Sequence, residues 1–293
     1  MLRRGREVEE QEGRDRLLLR SEGVVRRPRE GEIRTRAGGS AGHGMRTLAR
    51  MGRVRDPRGI RAHTGGESMS RIRILGQNSK MQKTMKAHEG YVFYNISIPA
   101  SARTCPGAGA CRYGCYAKAG RMGLDHAQKA YAENLEMIDD GTFWPKLDAE
   151  LDDAERRATA KGRQVRIRVH DTGDFFSEEY LRAWLDTAKR HTGIRFYAYT
   201  KMVRLLRDAE LPDNFRIVYS YGGRYDRDLD RIRQAVPTAI VVRSDGEIPL
   251  GYTDGSHDDF YASEGLSVAL RYHGPRSKEF TAGPQDAIVE IEG

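Results

Sequence analysis

The chain has 293 residues and a formal net charge of +8, but residues 1–68 hold 17 Arg and only 10 acidic residues and so carry +7 of that charge. The other residues hold 33 basic and 32 acidic side chains, and such a near-neutral body does not indicate the phosphate-binding face that tight nucleic-acid binding requires. From residue 69 onward no stretch reaches the roughly 18 continuous apolar residues of a membrane span, so we expect a cytoplasmic protein that does not enter the membrane.

Residues 1–68 form an arm of unusual composition, with 12 Gly and no Phe, Tyr, Trp, Lys or Cys. Such a segment cannot bury enough apolar surface to offset its ordering entropy, which predicts a disordered arm. Met69 begins a segment of ordinary composition, and Gly65-Gly66-Glu67 resembles a translated ribosome-binding site. We therefore expect the natural start at Met69 and a single α/β domain over residues 69–293.

The pattern over Ile72–Thr84 does not decide between helix and strand. Beyond it, residue spacing and β-branched or aromatic content predict alternating strands and helices. In chain order these are a strand at Tyr91–Ile98, helices at Asp125–Ile138 and Trp144–Ala158, a strand at Val165–His170, a helix at Ser177–Arg190, a strand at Ile194–Thr200, a short helix at Met202–Asp208, a strand at Phe215–Ser220, a helix at Asp226–Ala235, and strands at Ala239–Arg243 and Leu266–His273.

Strands that alternate with helices at this spacing are typical of βαβ units and a parallel sheet. Right-handed crossovers place all the strand ends on one side of such a sheet. The length allows about five to six units, so the expected fold is an incomplete parallel (β/α) barrel rather than an eight-unit one.

All three cysteines of the chain, Cys105, Cys111 and Cys115, lie within 11 residues directly after the first predicted strand. In a reducing compartment this spacing argues against disulfides, and thiolates are soft ligands that select zinc or iron–sulfur clusters. Free cysteines can also be ordinary core residues, but a loop rich in Gly and Pro is a poor place for a core. The sequence therefore predicts a metal or cluster site at these three residues.

The identity of the metal is less constrained by the sequence. A structural zinc site needs four ligands, so His88, His126 or His170 would have to complete it. A 4Fe-4S cluster held by three cysteines leaves one iron open, which suits a chain without a fourth cysteine. We favour the cluster, with zinc as the alternative.

A second group of candidate residues follows the strand Val165–His170. In parallel α/β folds ligands bind at this end of the strands. Gly173 would let a ligand approach the backbone, and Asp171 and Asp174 could accept hydrogen bonds from an amino group or ribose hydroxyls. The alternative is an ordinary turn before a helix, with Asp as a local turn-former.

Polar residues at other strand ends extend this candidate site. Lys201 and Ser220 each follow or end a predicted strand, and Tyr116 is a candidate for stacking on a bound adenine. Together with His170 they would line one binding surface for a small-molecule cofactor. By contrast, His257-Asp258-Asp259 is interpreted as a solvated loop rather than a lid or a metal-ligand cluster.

Several longer motifs resemble the bacteriophage gene product 88 family, whose name supplies little chemistry. They are Gly76-Gln-Asn-Ser-Lys-Met81, Ile96-Ser-Ile-Pro-Ala100, the Cys-Pro-Gly-Ala sequence at Cys105, His170-Asp-Thr-Gly-Asp-Phe-Phe-Ser177, Arg195-Phe-Tyr-Ala-Tyr-Thr-Lys201 and Leu211-Pro-Asp-Asn-Phe215. The resemblance covers most of residues 72–273.

At the level of the fold, a cysteine loop after the first strand of a partial barrel is also similar to radical S-adenosylmethionine enzymes. This likeness implies that Cys105, Cys111 and Cys115 hold a 4Fe-4S cluster, that Tyr116 lies near the adenine, and that Gly173 and Asp174 form the amine-binding turn. The chain has five and three residues between its cysteines, where that superfamily usually has three and two.

The leading hypothesis is therefore a radical-S-adenosylmethionine-like iron–sulfur enzyme of unknown substrate, in which a reduced cluster generates a radical from the bound cofactor. The alternative is a non-catalytic zinc-binding phage protein that contacts nucleic acid or a host factor. A third possibility keeps the cluster in a sensing or structural role.

Overall fold

The structure, a computed structural model, describes residues 73–273 and 281–284. The expected disordered arm at residues 1–68 and the expected start at Met69 lie outside the described residues. Within the described ranges, no helix is both long enough and apolar enough to cross a membrane.

Helices and strands alternate along the described chain. The helices are α1 (Ser79–Ala87), α2 (Asp125–Asp140), α3 (Phe143–Thr159), α4 (Glu178–Arg190), α5 (Val203–Leu206), α6 (Asp226–Ile232) and α7 (Phe260–Ser263). The strands are β1 (Tyr91–Asn95), β2 (Gln164–Val169), β3 (Arg195–Thr200), β4 (Phe215–Ser220), β5 (Thr238–Val242), β6 (Thr253–Asp254) and β7 (Val268–Arg271).

These strands form one seven-stranded sheet in the order β1-β2-β3-β4-β5-β7-β6, and every neighbouring pair is parallel. Because all the strands run the same way, their carboxyl ends meet at one edge, which we call the carboxyl edge. β1 and β6 are the outermost strands, so the sheet stays open. The prediction of an α/β fold with an incomplete parallel barrel is confirmed.

Local sequence accounts for the longest helices. Ser177 caps α4 because its side chain accepts a hydrogen bond from the Tyr180 amide at 3.2 Å, and Glu178 and Glu179 complement the helix dipole in the first turn. Gly141 ends α2 in the left-handed conformation that glycine adopts without cost.

The two faces of the sheet are covered differently. Helices α3 to α6 cover the outer face with a large apolar core that includes Leu147, Trp184 and Phe196. Helices α1 and α7 cover the inner face, where a smaller cluster includes Phe93 and Tyr197. Strand residues alternate between the faces, so β2 directs Val165 and Ile167 outward and Arg166 and Arg168 inward.

The first strand is shorter than predicted, ending at Asn95 rather than Ile98. The next residues stay buried but leave the regular ladder, because the Ile96 amide donates to the Arg168 carbonyl and the Ile98 amide to the Thr172 carbonyl. The chain thus follows the end of β2 over the carboxyl edge.

Three short elements were not predicted. Helix α1 begins within the undecided stretch Ile72–Thr84, where the Asn78 side chain accepts from the Met81 amide at 2.9 Å, and extends beyond it to Ala87. Strand β6 has two residues and α7 has four, too few for a periodic signal. Long-range packing rather than local preference stabilises such elements.

Candidate functional site

A pocket of about 370 Å³ opens at the carboxyl edge of the sheet. Its walls come from residues 100–124, which we call the cysteine segment, and from the loops after β2, β3, β4 and β7. All ten residues proposed from the sequence line it: Cys105, Cys111, Cys115, Tyr116, His170, Asp171, Gly173, Asp174, Lys201 and Ser220. The fold therefore brings together side chains that the sequence separates by more than 100 residues.

The cysteine segment crosses the carboxyl edge from β1 to the turn after β4. The amides of Gly109 and Cys111 both donate to the Gly222 carbonyl, at 3.2 and 3.1 Å, and the Arg224 amide donates to the Gly107 carbonyl at 2.9 Å. A Cβ atom on Gly109 would lie 2.7 Å from the Gly223 backbone. The glycines of this segment are thus explained by close backbone contact.

The three thiols are free and half-buried. Burial raises the pKa of Cys105 to about 11, with further contributions from the Asp174 carboxylate and from the other two cysteines, while Lys201 acts in the opposite direction. Among residues 73–273 and 281–284, no three His, Cys, Asp or Glu side chains are grouped closely enough to hold a metal ion. Binding of a metal or cluster by all three cysteines therefore requires the thiols to move closer together than they are here.

His170 directly follows β2 and has an unusual backbone conformation, with φ at +66°. Its Nε2 atom lies 3.0 Å from the Tyr180 hydroxyl, whereas its buried Nδ1 atom has no hydrogen-bond partner. Burial, together with the charge of Arg168, lowers the pKa of His170 to about 3, so the ring is neutral at pH 7. Backbone strain of this kind is most common at functional sites.

The side chain of Asp171 is engaged by the protein itself. Its Oδ2 atom accepts from the amide groups of Asn78 at 2.6 Å and Asn95 at 3.3 Å, and its Oδ1 atom lies 3.3 Å from Arg168 Nη1. The Asp171 carbonyl also accepts from the Tyr116 hydroxyl. Asp171 therefore fixes the cysteine segment to β2 and α1.

Asp174 is similarly engaged. Its Oδ1 atom accepts from the Phe175 amide at 2.8 Å and the Thr200 hydroxyl at 2.6 Å, and its Oδ2 atom accepts from the Lys201 amide at 2.9 Å. Burial raises its pKa, although these hydrogen bonds act in the opposite direction. The carboxylate joins the ends of β2 and β3, and its expected contact with a ligand amine stays a prediction.

Gly173 has a packing role that the sequence did not indicate. Its φ of +90° favours glycine, and a Cβ atom would lie 2.3 Å from Cγ1 of the fully buried Ile98. The space that glycine leaves is thus filled by Ile98. Approach of a ligand to this backbone stays a prediction.

Two polar residues remain partly available to a ligand. Lys201 Nζ donates to the Ser220 hydroxyl at 2.8 Å, and an ammonium group has two further N–H donors. The ring of Tyr116 lies 5.0 Å from that of His273, tilted by 41°, and burial raises the pKa of the Tyr116 hydroxyl. These contacts do not test the stacking of Tyr116 on an adenine, which stays a prediction.

Sequence reasoning missed a cluster of buried charges on the inner face. The fully buried carboxylate of Asp259 lies 2.6 Å from Lys80 and 3.0 Å from Arg168, and it accepts from the hydroxyls of Tyr197 and Tyr199. Burial alone would raise the pKa of Asp259, but Lys80 and Arg168 outweigh it and lower the pKa to about 2. The interpretation of this residue as part of a solvated loop was wrong.

One signal in the sequence could have revealed this cluster. Arg166 and Arg168 alternate with apolar residues in a strand that is flanked by helices on both sides in sequence. Since such strands are buried on both faces, alternating arginines indicate buried acidic partners. Arg168 pairs with the buried Asp171 and Asp259, whereas Arg166 pairs with the partly buried Glu264 and donates to the Ser263 hydroxyl.

The three histidines considered as a fourth zinc ligand lie in different places. His170 lines the pocket, whereas His126 is exposed at the start of α2. His88 pairs with Asp258 at 2.7 Å and stacks on Phe260 at 4.1 Å, on the side of the sheet that α1 and α7 cover.

Comparison with known proteins gives one match. The family model described as gene product 88 matches residues 48–282, which includes residues 48–68 of the Arg-rich arm. No curated protein and no solved structure matches the chain.

Proposed function

The chain belongs to the gene product 88 family, and we propose that it is an iron–sulfur enzyme. Cys105, Cys111 and Cys115 would hold a 4Fe-4S cluster in the pocket at the carboxyl edge. A small-molecule cofactor, S-adenosylmethionine, would bind beside the cluster, and the protein would act in the host cytoplasm.

One observation carries this proposal: the only three cysteines of the chain line the same pocket as the ends of β2, β3 and β4. A parallel α/β sheet places its ligand sites at this edge. Soft thiolates from a glycine-rich segment at such an edge suit a thiophilic metal centre. The donor set therefore fits the cluster in chemistry, provided that the segment closes around it.

The raised pKa of Cys105 is consistent with such a centre. Burial is the main cause of the raised pKa of Cys105, and interactions with Asp174 and the other two cysteines add to it, so the thiol form of Cys105 is favoured while no cation is present. A bound iron centre would supply the positive charge that offsets this cost. Thiol deprotonation and cluster binding should consequently be coupled.

The surrounding residues would bind and orient the cofactor. Lys201 lines the pocket and retains two further N–H donors, and Tyr116 is fixed by its hydrogen bond to the Asp171 carbonyl. The neutral ring of His170 adds no charge beside the cofactor. When bound, the cluster would supply the single electron that cofactor cleavage requires.

Metal analysis of the full chain tests the proposal. Protein purified without oxygen and reconstituted with iron and sulfide should contain about four irons and four sulfides per chain, as a 4Fe-4S centre requires. The Cys105→Ala, Cys111→Ala and Cys115→Ala variants should each lose most of the iron. Ser101→Ala, a conservative change in the same segment, is the matched control and should retain it.

Two outcomes would contradict the proposal. One tightly bound zinc ion in a colourless sample would contradict the iron–sulfur proposal and indicate that the cysteine segment forms a structural zinc site. A cluster that loads normally while the reduced protein neither binds nor cleaves S-adenosylmethionine would leave a sensing or structural role. Circular dichroism of the cysteine variants separates loss of the cluster from misfolding.

A further inference from the structure

The cysteine segment carries an uncompensated positive charge. Residues 100–124 contain Arg103, Arg112, Lys118 and Arg121 and no acidic residue, although the chain beyond residue 68 is nearly neutral overall. Arg103 pairs with Asp139, donating from Nη1 at 2.8 Å. Two of the other cations, Arg112 and Lys118, line the pocket and are exposed, which places them at its rim.

By contrast, the two other arginines that line the pocket each have a carboxylate partner. Arg168 lies against Asp171 and Asp259, and Arg271 Nε lies 3.1 Å from Asp245. Within the part of the chain that the structure describes, Arg112 and Lys118 make no side-chain hydrogen bond or ion pair. The pocket therefore has two unmatched cations at its rim.

The carboxylates that line the pocket cannot compete for these cations. Asp171 and Asp174 each already make at least three hydrogen bonds or ion pairs with the protein. Lys201, at the ends of the same strands, has two N–H donors left. The cations and free N–H donors of the pocket therefore lack an anionic partner, which a ligand would supply.

Other residues that line the pocket suit an uncharged ligand portion. Tyr199, Val241 and Leu270 line it with apolar or aromatic surface, as does the ring pair of Tyr116 and His273. A volume of about 370 Å³ lies in the range of small-molecule sites.

We infer that the substrate of this pocket is a phosphate ester, whose phosphate binds to Arg112 and Lys118 while its uncharged part lies against Tyr199, Val241 and Leu270. A phosphate monoester carries close to two negative charges at pH 7, which matches two unmatched cations. A guanidinium binds phosphate through two parallel hydrogen bonds, and lysine adds a point charge. The inference rests on the proposed function in taking this pocket as the reaction site.

An alternative role for these cations is to balance the cysteine thiolates. The cation that acts on the pKa of Cys105 is Lys201, so thiolate stabilisation already has a candidate in the pocket interior. The two roles differ in what a charge-removing variant would lose: phosphate affinity in one case, iron in the other.

Binding assays on the full, reconstituted protein test the inference. Adenosine 5′-monophosphate and adenosine serve as probes at low ionic strength, with pyrophosphate as a competitor. The nucleotide should bind at least about tenfold more tightly than the nucleoside, since each charge-assisted hydrogen bond contributes measurably. The Arg112→Gln/Lys118→Gln double variant should lose this preference and the competition by pyrophosphate.

Lys161→Gln/Arg163→Gln is the matched control, because it removes two exposed cations just before β2, at the opposite edge of the sheet. It should retain the preference, and all three proteins should hold the same amount of iron. A ten-nucleotide single-stranded DNA distinguishes the source of the phosphate: tighter binding than the mononucleotide indicates nucleic acid, and weaker binding indicates a free ester.

Two results would overturn the inference. Equal binding of nucleotide and nucleoside, or an unchanged preference in the double variant, would show that the rim does not bind phosphate. Loss of iron in the double variant without loss of the preference would assign the cations to the cluster. A phosphate preference in wild-type protein that holds no iron would instead reject the proposed function and leave the rim site standing.

Discussion

The outer face of the sheet is packed with apolar side chains, whereas the inner face buries Lys80, Arg166, Arg168 and Asp259 between α1, α7 and the strands. Burial of hydrocarbon stabilises the outer face directly. On the inner face, each charge has to recover its lost hydration from a partner. The apolar packing of the outer face thus mainly stabilises the fold, whereas the ion pairs of the inner face hold particular side chains in fixed positions.

The inner face matters for the pocket because Arg168 belongs to both. Arg168 contacts Asp259 within the cluster and Asp171 at the pocket, and it lines the pocket itself. Asp171 in turn accepts from the Tyr116 hydroxyl through its carbonyl. A change in the buried cluster should consequently alter the pocket, and a change on the outer face should not.

The largest expected effect is that of Asp259→Ala. It would leave Lys80 and Arg168 buried without their shared carboxylate, and breaking such a buried ion pair costs about 3–5 kcal/mol. Urea denaturation measures the loss of unfolding free energy. Asp153→Ala is the control, because it removes only the exposed partner of Arg156 and Arg157 and should cost less than about 1 kcal/mol. Equal losses of unfolding free energy in the two variants would show that the buried ion pairs contribute no more to stability than exposed ones.

On the outer face, Leu147→Ala should cost about 3 kcal/mol by leaving a cavity under α3, where Leu147 is fully buried. The folded variant should nevertheless keep the iron content of the wild type, since this side chain does not line the pocket. Metal analysis of the folded fraction at low temperature checks this. A drop in iron comparable with that of a cysteine variant would contradict the separation of the two faces.

The Gly173→Ala variant tests the loop after β2 that lines the pocket, and not the packing of either face of the sheet. The new methyl group would overlap the buried Ile98, and the positive φ adds strain, so we expect a loss of about 2–3 kcal/mol. Gly141→Ala is a close control, because its φ of +83° is similar but nothing lies within 4 Å of the Cβ position. It should cost only about 1 kcal/mol. The difference between the two variants isolates the contact with Ile98.

The smallest predicted effect concerns pH and His170. Its pKa is about 3 in the folded chain and near 6.5 when unfolded, so the unfolded state binds the proton more readily. The free energy of unfolding should therefore fall by about 2 kcal/mol as the pH decreases from about 7 to 5. One extra proton bound in the unfolded state changes this free energy by about 1.36 kcal/mol per pH unit. His170→Gln should show a correspondingly flatter profile in urea denaturation over this range. Parallel profiles would show that His170 is already protonated or exposed.

Much of the fold could be predicted because periodicity is a local property. The strand Phe215–Ser220 has the predicted bounds, and α4 starts at the predicted Ser177 cap. The elements that were missed or undecided were α1, α7 and β6. For α7 the stabilising contact is remote, since Phe260 stacks on His88, the residue directly after α1.

The candidate site was predictable in part for the same reason. Strand ends are visible in the sequence, so Lys201 and Ser220 could be placed at the carboxyl edge before any contact was known. The roles of Asp171 and Asp174 could not, because their hydrogen-bond partners come from other strands and from Asn78. The same limit applied to Gly173, whose constraint is the side chain of Ile98.

By itself, then, the sequence determined the parallel α/β class, the open barrel and the position of the three cysteines after the first strand. Only the tertiary structure decided which charges pair within the inner face. Arg168 and Asp259 are 91 positions apart, and no local pattern links them. Hydrophobic periodicity records which face of an element is buried, whereas the partner of a buried charge depends on which distant segment the fold places against it.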